Sequence, residues 1–143
     1  MVKVDLERMN RFTGICYDTF TIPDEKAYTV LAELLRNFLR TRASFSSKYL
    51  NDCDITYAID FNTKYLRVVF LSNGEIIETL TLNVKGFRLP KQYCLEWPKL
   101  DIRQAQNIID TFEDTLKHIV YMHDCFVFGI EKDKMAALVK EIK

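Results

Sequence analysis

Nucleophilic catalysis needs an activated serine, cysteine or threonine beside a base. The chain offers only two histidines, His118 and His123. Both fall in a segment with helical periodicity, where their spacing turns them about 140° apart around the axis, so they share no face for a metal or a catalytic pair. Asp110, Glu113 and Asp114 crowd the same segment, but an acidic stripe opposite an apolar one is the wet side of a helix. The four cysteines, Cys16, Cys53, Cys94 and Cys125, are scattered, with no CxxC and no Cys/His pair at ligand spacing, and read as small buried hydrophobes carrying free thiols. Four glycines leave no phosphate-cradling loop or dinucleotide fingerprint. We expect no catalytic residues, no metal and no cofactor, and a small enzyme of unknown class ranks third among the functional readings.

Binding chemistry has two candidate surfaces. Arg36, Arg40, Arg42 and Lys48 gather near the end of one helical segment with Phe45 and Tyr49 interleaved, as a surface for RNA or single-stranded DNA would require. Cations at a helix C-terminus are also explained by the helix dipole alone. The second surface lies in YLRVVFLSNGEIIETLTL, residues 65 to 82.

These residues must be positioned by elements that the hydrophobic periodicity outlines. Residues 5–12, DLERMNRF, fit a short helix, and 15–22, ICYDTFTI, a strand. From Asp24 an amphipathic helix runs to about residue 41, followed by a loop through RASFSSKYLND. Residues 53–61 alternate strictly and read as a strand. FNTK turns the chain, and Asn73-Gly74 marks a type I′ hairpin, so that residues 53–84 form a three-stranded antiparallel meander. One short extended piece lies near YCLEW, an Asp101/Gln104 capping box opens a long helix at about 102–123, CFVFGI at 125–130 suits a strand, and a last helix covers about 133–142. The fold class is α+β, one domain over 1–143, with helices on one face of the sheet and one or two strands beyond the meander.

A two-residue turn pairs Ser72 with Glu75, and stepping outward sorts the hairpin's faces. Leu66, Val68 and Phe70 then share the core side with Thr81, Thr79 and Ile77. The outer side carries Tyr65, Arg67, Val69 and Leu71, then Ile76, Glu78, Leu80 and Leu82, beside Asp60 of the neighbouring strand. Arg67 lies diagonally from Glu78 and Asp60. Such a face could be covered by the N-terminal segment or the linker bearing Trp97, packed sheet to sheet in a homodimer, or used for a partner. The expected binding residues are Asp60, Tyr65, Arg67, Leu71, Ile76, Glu78 and Leu80.

Composition sets the frame. With 143 residues, 48% apolar and 28% charged, and 20 basic against 20 acidic residues, the chain can bury its own core and has no global field to attract phosphate or membrane. Without a signal-peptide pattern or a spanning apolar run, a cytoplasmic setting is expected. The leading expectation is a non-enzymatic protein-binding module, an inhibitor or adaptor acting through the outer face or edge of the sheet. Inhibitors, immunity-type proteins and phage accessory proteins include chains of this general kind, though no motif narrows the class. Nucleic-acid binding through residues 36–49 is the alternative.

Overall fold

A computed structural model of the chain describes residues 1–85 and 94–127, with side chains as far as Asp114 in the last helix. The strands are β1 (Val2–Asn10), β2 (Gly14–Ile22), β3 (Ile55–Phe61), β4 (Tyr65–Ser72), β5 (Glu75–Lys85) and β6 (Leu95–Leu100). A single 3₁₀ turn, Asp24–Lys26, leads into helix α1 (Ala27–Tyr49), and helix α2 (Ile102–Val127) follows β6. The six strands form one sheet in the order β2-β1-β5-β4-β3-β6, every neighbouring pair antiparallel. The α+β class and the 53–84 meander are both present, with three further strands, where one or two were expected.

The core lies between the helices and one face of the sheet. Leu31, Leu35, Phe38 and Leu39 of α1 and Ala105, Ile109 and Phe112 of α2 are buried with Val4, Tyr57, Ile59, Phe61, Leu66, Val68, Phe70, Leu80 and Leu82 of the strands. Tyr57 and Phe70 stack across β3 and β4 at 5.7 Å between centroids, and Phe61 meets Phe112 of α2 at 4.4 Å. These aromatic contacts join sheet and helix by apolar area and ring geometry together.

Three segments depart from the expectation. Residues 5–12 belong to β1 and the turn after it, not to a helix, because β5 offers its full edge to residues 3–10 and the Val2, Val4, Leu6 alternation buries one side there. Tertiary pairing overrides the weak helical pattern. Helix α1 continues through the expected loop to Tyr49. The hydroxyls of Thr41 and Ser46 bond back to carbonyls of the preceding turn, which lets polar side chains remain inside a helix. Helix α2 passes 123 and takes in residues 125–127, so the start of CFVFGI is helical. The remainder of the expected 125–130 strand and the 133–142 helix lie outside the described residues.

The hairpin turn forms as its residues require, with φ of 53° at Asn73 and 80° at Gly74, and Ser72 pairs with Glu75. The Asn73 side chain also accepts the Asp54 amide at 2.8 Å, tying the turn to β3. Two residues further the register slips. Leu71 faces Ile76 but Phe70 faces Glu78, leaving Ile77 without a partner on β4. This β-bulge reverses the faces of the rest of β5. Leu80 and Leu82 therefore point to the core, and Thr79 and Thr81 to the outer side, the opposite of the turn-counted register. The hydrophobic pattern and the turn specify different registers, and the bulge satisfies both.

Because Leu80 is only 4% exposed on the core side, Leu80→Ala should cost about 2–5 kcal/mol in urea unfolding. Outward placement would instead give a change within about 0.5 kcal/mol.

Candidate functional site

The outer face is built on one continuous row of residues that crosses all six strands. Tyr17 of β2 faces Glu7 of β1, Glu7 faces Thr81 of β5, Thr81 faces Arg67 of β4, Arg67 faces Asp60 of β3, and Asp60 faces Glu96 of β6. No described helix lies over this row, since α1 and α2 contribute to the core on the opposite side. The N-terminal segment does not cover the face; it widens the sheet. Trp97 pairs opposite Ile59 and so belongs to the helix side.

Arg67 is held at the centre. Its Nε donates to the Thr81 hydroxyl at 3.2 Å, and its guanidinium carbon sits 4.4 Å from the centre of the Tyr65 ring. The Tyr65 hydroxyl donates to the Asp60 carboxylate at 2.9 Å. Stacking on the Tyr65 ring and the Nε bond restrain the guanidinium, so little further rotamer entropy is lost when it meets a ligand. Next to this row stand Met9, Ile15, Val69 and Ala58, and beyond the bulge Leu71 and Ile76. Leu71 is half-buried and Ile76 exposed.

Of the expected binding residues, Asp60, Tyr65, Arg67, Leu71 and Ile76 share this face, and Asp60 is directly opposite Arg67, not diagonal to it. Glu78 and Leu80 do not, because the bulge sends both to the helix side. Glu7, Tyr17, Thr81 and Glu96 were missed. The alternation of Val2, Val4 and Leu6 with Lys3, Asp5 and Glu7 is the signal that could have found the β1 contribution.

Glu78 instead closes a polar cluster under α1. Only 4% exposed, its carboxylate pairs with Arg42 of α1 and lies 3.7 Å from Arg8 of β1. The Arg42 guanidinium also lies over Phe38, 5.1 Å from the ring centre. Beside it, a cleft of about 160 Å³ opens between α1 and β1, lined by Leu6, Arg8, Leu34, Phe38, Thr41 and Arg42 among others. On the same side the Tyr57 hydroxyl is buried without a hydrogen bond of good geometry among the described residues. Burial pushes this phenol above its ordinary range, against smaller opposing effects of Ser46 and Arg42.

The basic and aromatic set on α1 is mostly neutralised by neighbouring carboxylates. Arg36 pairs with Glu113 and with Asp110 at 2.8 Å, both on α2, and with Glu33. The Glu113 bond, with a further contribution from Asp110, raises the Arg36 pKa against the opposing effect of burial. Arg40 bonds Glu33 at 2.6 Å, and Arg42 is committed to Glu78. Only Lys48, Phe45 and Tyr49 remain as a small exposed group, with the Lys48 amine 5.1 Å from the Tyr49 ring centre. Asp110 and Glu113 thus serve as ion-pair partners between helices, so the acidic stripe is partly an interhelical contact and not simply the wet side.

The backbone at His118 and His123 is helical within α2; their side chains lie outside the described set. Cys16 is exposed, and Cys53 and Cys94 are half-buried. The first departs from the expected small buried hydrophobe, lying near the start of the outermost strand β2 with its side chain exposed. Among the described residues no group of three or more histidine, cysteine or acidic side chains is placed to hold a metal ion. Among them, too, no helix is long and apolar enough to cross a membrane. No family model matches the chain, and comparison with curated proteins and with solved structures returns no match.

Removing Glu78 strands the Arg42 charge, so Glu78→Ala should cost on the order of 3 kcal/mol. The double variant Glu78→Leu/Arg42→Leu should recover most of it in urea unfolding, which would assign the loss to the orphaned charge.

Tyr57 has a second consequence. A phenol whose pKa is raised by folding holds its proton above the point where the unfolded chain loses it. Its contribution is therefore intact below the unfolded value of about 10 and declines as pH rises through and above it. Tyr57→Phe should flatten the alkaline limb of stability against pH and cost less than about 1 kcal/mol at pH 7, since no well-formed hydrogen bond is lost.

Proposed function

We propose that this chain is a protein-binding module, an inhibitor or adaptor, whose contact surface is the outer face of the sheet centred on Arg67. The reading rests on one observation: a guanidinium fixed by an aromatic ring and a hydroxyl, with no carboxylate partner within ion-pair distance among the described residues, on a sheet face that no described helix overlies. Arginine and tyrosine held rigidly at the centre of a mixed apolar and polar surface are what interface hot spots are made of. Three carboxylates, Glu7, Asp60 and Glu96, accompany the single cation of the row. A fitting partner therefore offers a carboxylate to Arg67, basic groups around it and an apolar side chain over Leu71 and Ile76.

The same charges weigh against nucleic acid. A carboxylate-rich row repels a phosphate backbone, and of Arg36, Arg40, Arg42 and Lys48 the three arginines are engaged in ion pairs.

Arg67→Ala should leave folding stability within about 1 kcal/mol of the parent while weakening partner binding by about 2 kcal/mol. Affinity capture from the native source with parent and variant as parallel baits, followed by mass spectrometry and a thermal melt, reads both quantities. A partner retained equally by the two baits would sink the reading. Tight, steeply salt-dependent binding of a labelled single-stranded oligonucleotide would favour the nucleic-acid alternative instead.

A further inference from the structure

On the helix side of the sheet, the cleft between α1 and β1 combines apolar walls with an unbalanced charge. Leu34, Phe38, Thr41 and Arg42 recur at helical spacing and share one side of α1, while Leu6 and Arg8 share one face of β1. With Leu80 of β5 they line about 160 Å³. Leu6 and Leu34 are only partly buried, although Val4 and Leu35 beside them in sequence are fully so. The cleft therefore leaves apolar surface in contact with water, which a ligand could cover.

Three charged groups meet at its end. Arg8 and Arg42 both approach the single Glu78 carboxylate, Arg42 in direct contact and Arg8 at 3.7 Å, beyond hydrogen-bonding distance. Both arginines line the cleft and Glu78 does not. The Glu78 side chain is 5% exposed, that of Arg42 19% and that of Arg8 51%. The Arg42 Nε makes no hydrogen bond of good geometry among the described residues. Two guanidiniums, each with several N–H donors, thus share one carboxylate, and one positive charge is left over. Neighbouring acids do not answer it. Glu33 pairs with Arg36 and Arg40. Asp18, opposite Leu6 on β2, is exposed, accepts the Thr19 amide at 2.9 Å and makes no ion pair with either arginine among the described residues.

We propose that this cleft binds a small monocarboxylate with an apolar body, its carboxylate held by Arg8 and Arg42 and its body against Leu6, Leu34, Phe38 and Leu80. A cavity of about 150 Å³ takes a molecule the size of benzene, which sets the size of the body. The single surplus charge selects a monoanion, and the planar fork of arginine matches a carboxylate. A dianion such as phosphate would overcompensate that charge beside the buried Glu78 and leave the apolar walls uncovered. The cleft lies across the sheet from Arg67, so the proposal goes beyond the interface described above and is tested apart from it.

Titration of the full chain with benzoate, followed by amide NMR, is the test. Saturable shifts should centre on residues 34–42 of α1 and 6–8 of β1, with a dissociation constant near about 1 mM or tighter. Benzamide keeps the ring without the charge, and inorganic phosphate keeps charge without the ring; each should bind at least about tenfold more weakly. Arg8→Gln is the deciding variant, because it leaves the contact between Arg42 and Glu78 in place and alters an exposed side chain. It should weaken benzoate about tenfold or more with an unchanged circular dichroism spectrum and melting temperature. Leu34→Trp, which fills the cleft, should abolish the shifts, and Arg67→Ala should leave them as they are. The proposal is overturned if benzoate gives no saturable shift, if the shifts centre elsewhere, if benzamide or phosphate binds as tightly, or if Arg8→Gln binds like the parent. Loss of the shifts on Arg67→Ala would overturn it too, by moving the carboxylate to the outer face.

Discussion

The bulge at Ile77 is the constraint on which the architecture turns. One unpaired residue on β5 lets a tight turn at Asn73-Gly74 coexist with a strand whose leucines must reach the core. Beyond it Leu80 and Leu82 enter the apolar layer opposite Val68 and Leu66, and Thr79 and Thr81 appear on the outer face. The outer face is polar at its centre because of that step, and Arg67 finds the Thr81 hydroxyl across from it in place of a leucine. The bulge is also tied in from the other side, since the Ile77 carbonyl accepts the Arg11 amide at 2.8 Å. The β1–β2 hairpin is thereby anchored to the one irregular position of β5.

Buried charge then fixes how α1 lies on the sheet. Glu78 reaches the helix side only through the bulge, and there it meets Arg42, while Arg36 on the same helix meets Glu113 of α2. Apolar packing of Leu31, Leu35 and Leu39 does not choose an orientation by itself, because dispersion and area burial are only weakly directional. Two arginines with fixed carboxylate partners supply direction along and around the axis. The same pairings remove those cations from the solvent-facing surface, so the helix that looks basic in sequence presents little positive charge to a ligand.

With Arg36 and Arg42 committed to carboxylates within the chain, the molecule presents its distinctive chemistry on the other side of the sheet. The row from Tyr17 to Glu96 brings together residues drawn from six strands and from both ends of the described chain. An open sheet face tolerates such mixed content where no described helix lies over it, and Thr79 and Thr81 are nonetheless buried among their neighbours there.

Local chemistry was enough to define several parts of this protein. The Asn73-Gly74 turn, the strict alternation of residues 53–61, the heptad-like run from Ala27 to Leu39 and the Asp101/Gln104 capping box, whose reciprocal bonds form at 2.8 and 2.9 Å, all act within a few residues of themselves. They determined the α+β class and the meander, and they placed Tyr65, Arg67 and Asp60 on one face. What lay between distant segments was decided only by the tertiary structure. Whether DLERMNRF would be helix or strand depended on an edge of β5 some seventy residues away. The side to which Glu78 and Leu80 turn depended on a conflict between turn geometry and hydrophobic pattern that a single inserted residue resolves. The free charge on residues 36–42 depended on carboxylates of α2 and β5, because an arginine is available to a partner only if folding has not already supplied it with one.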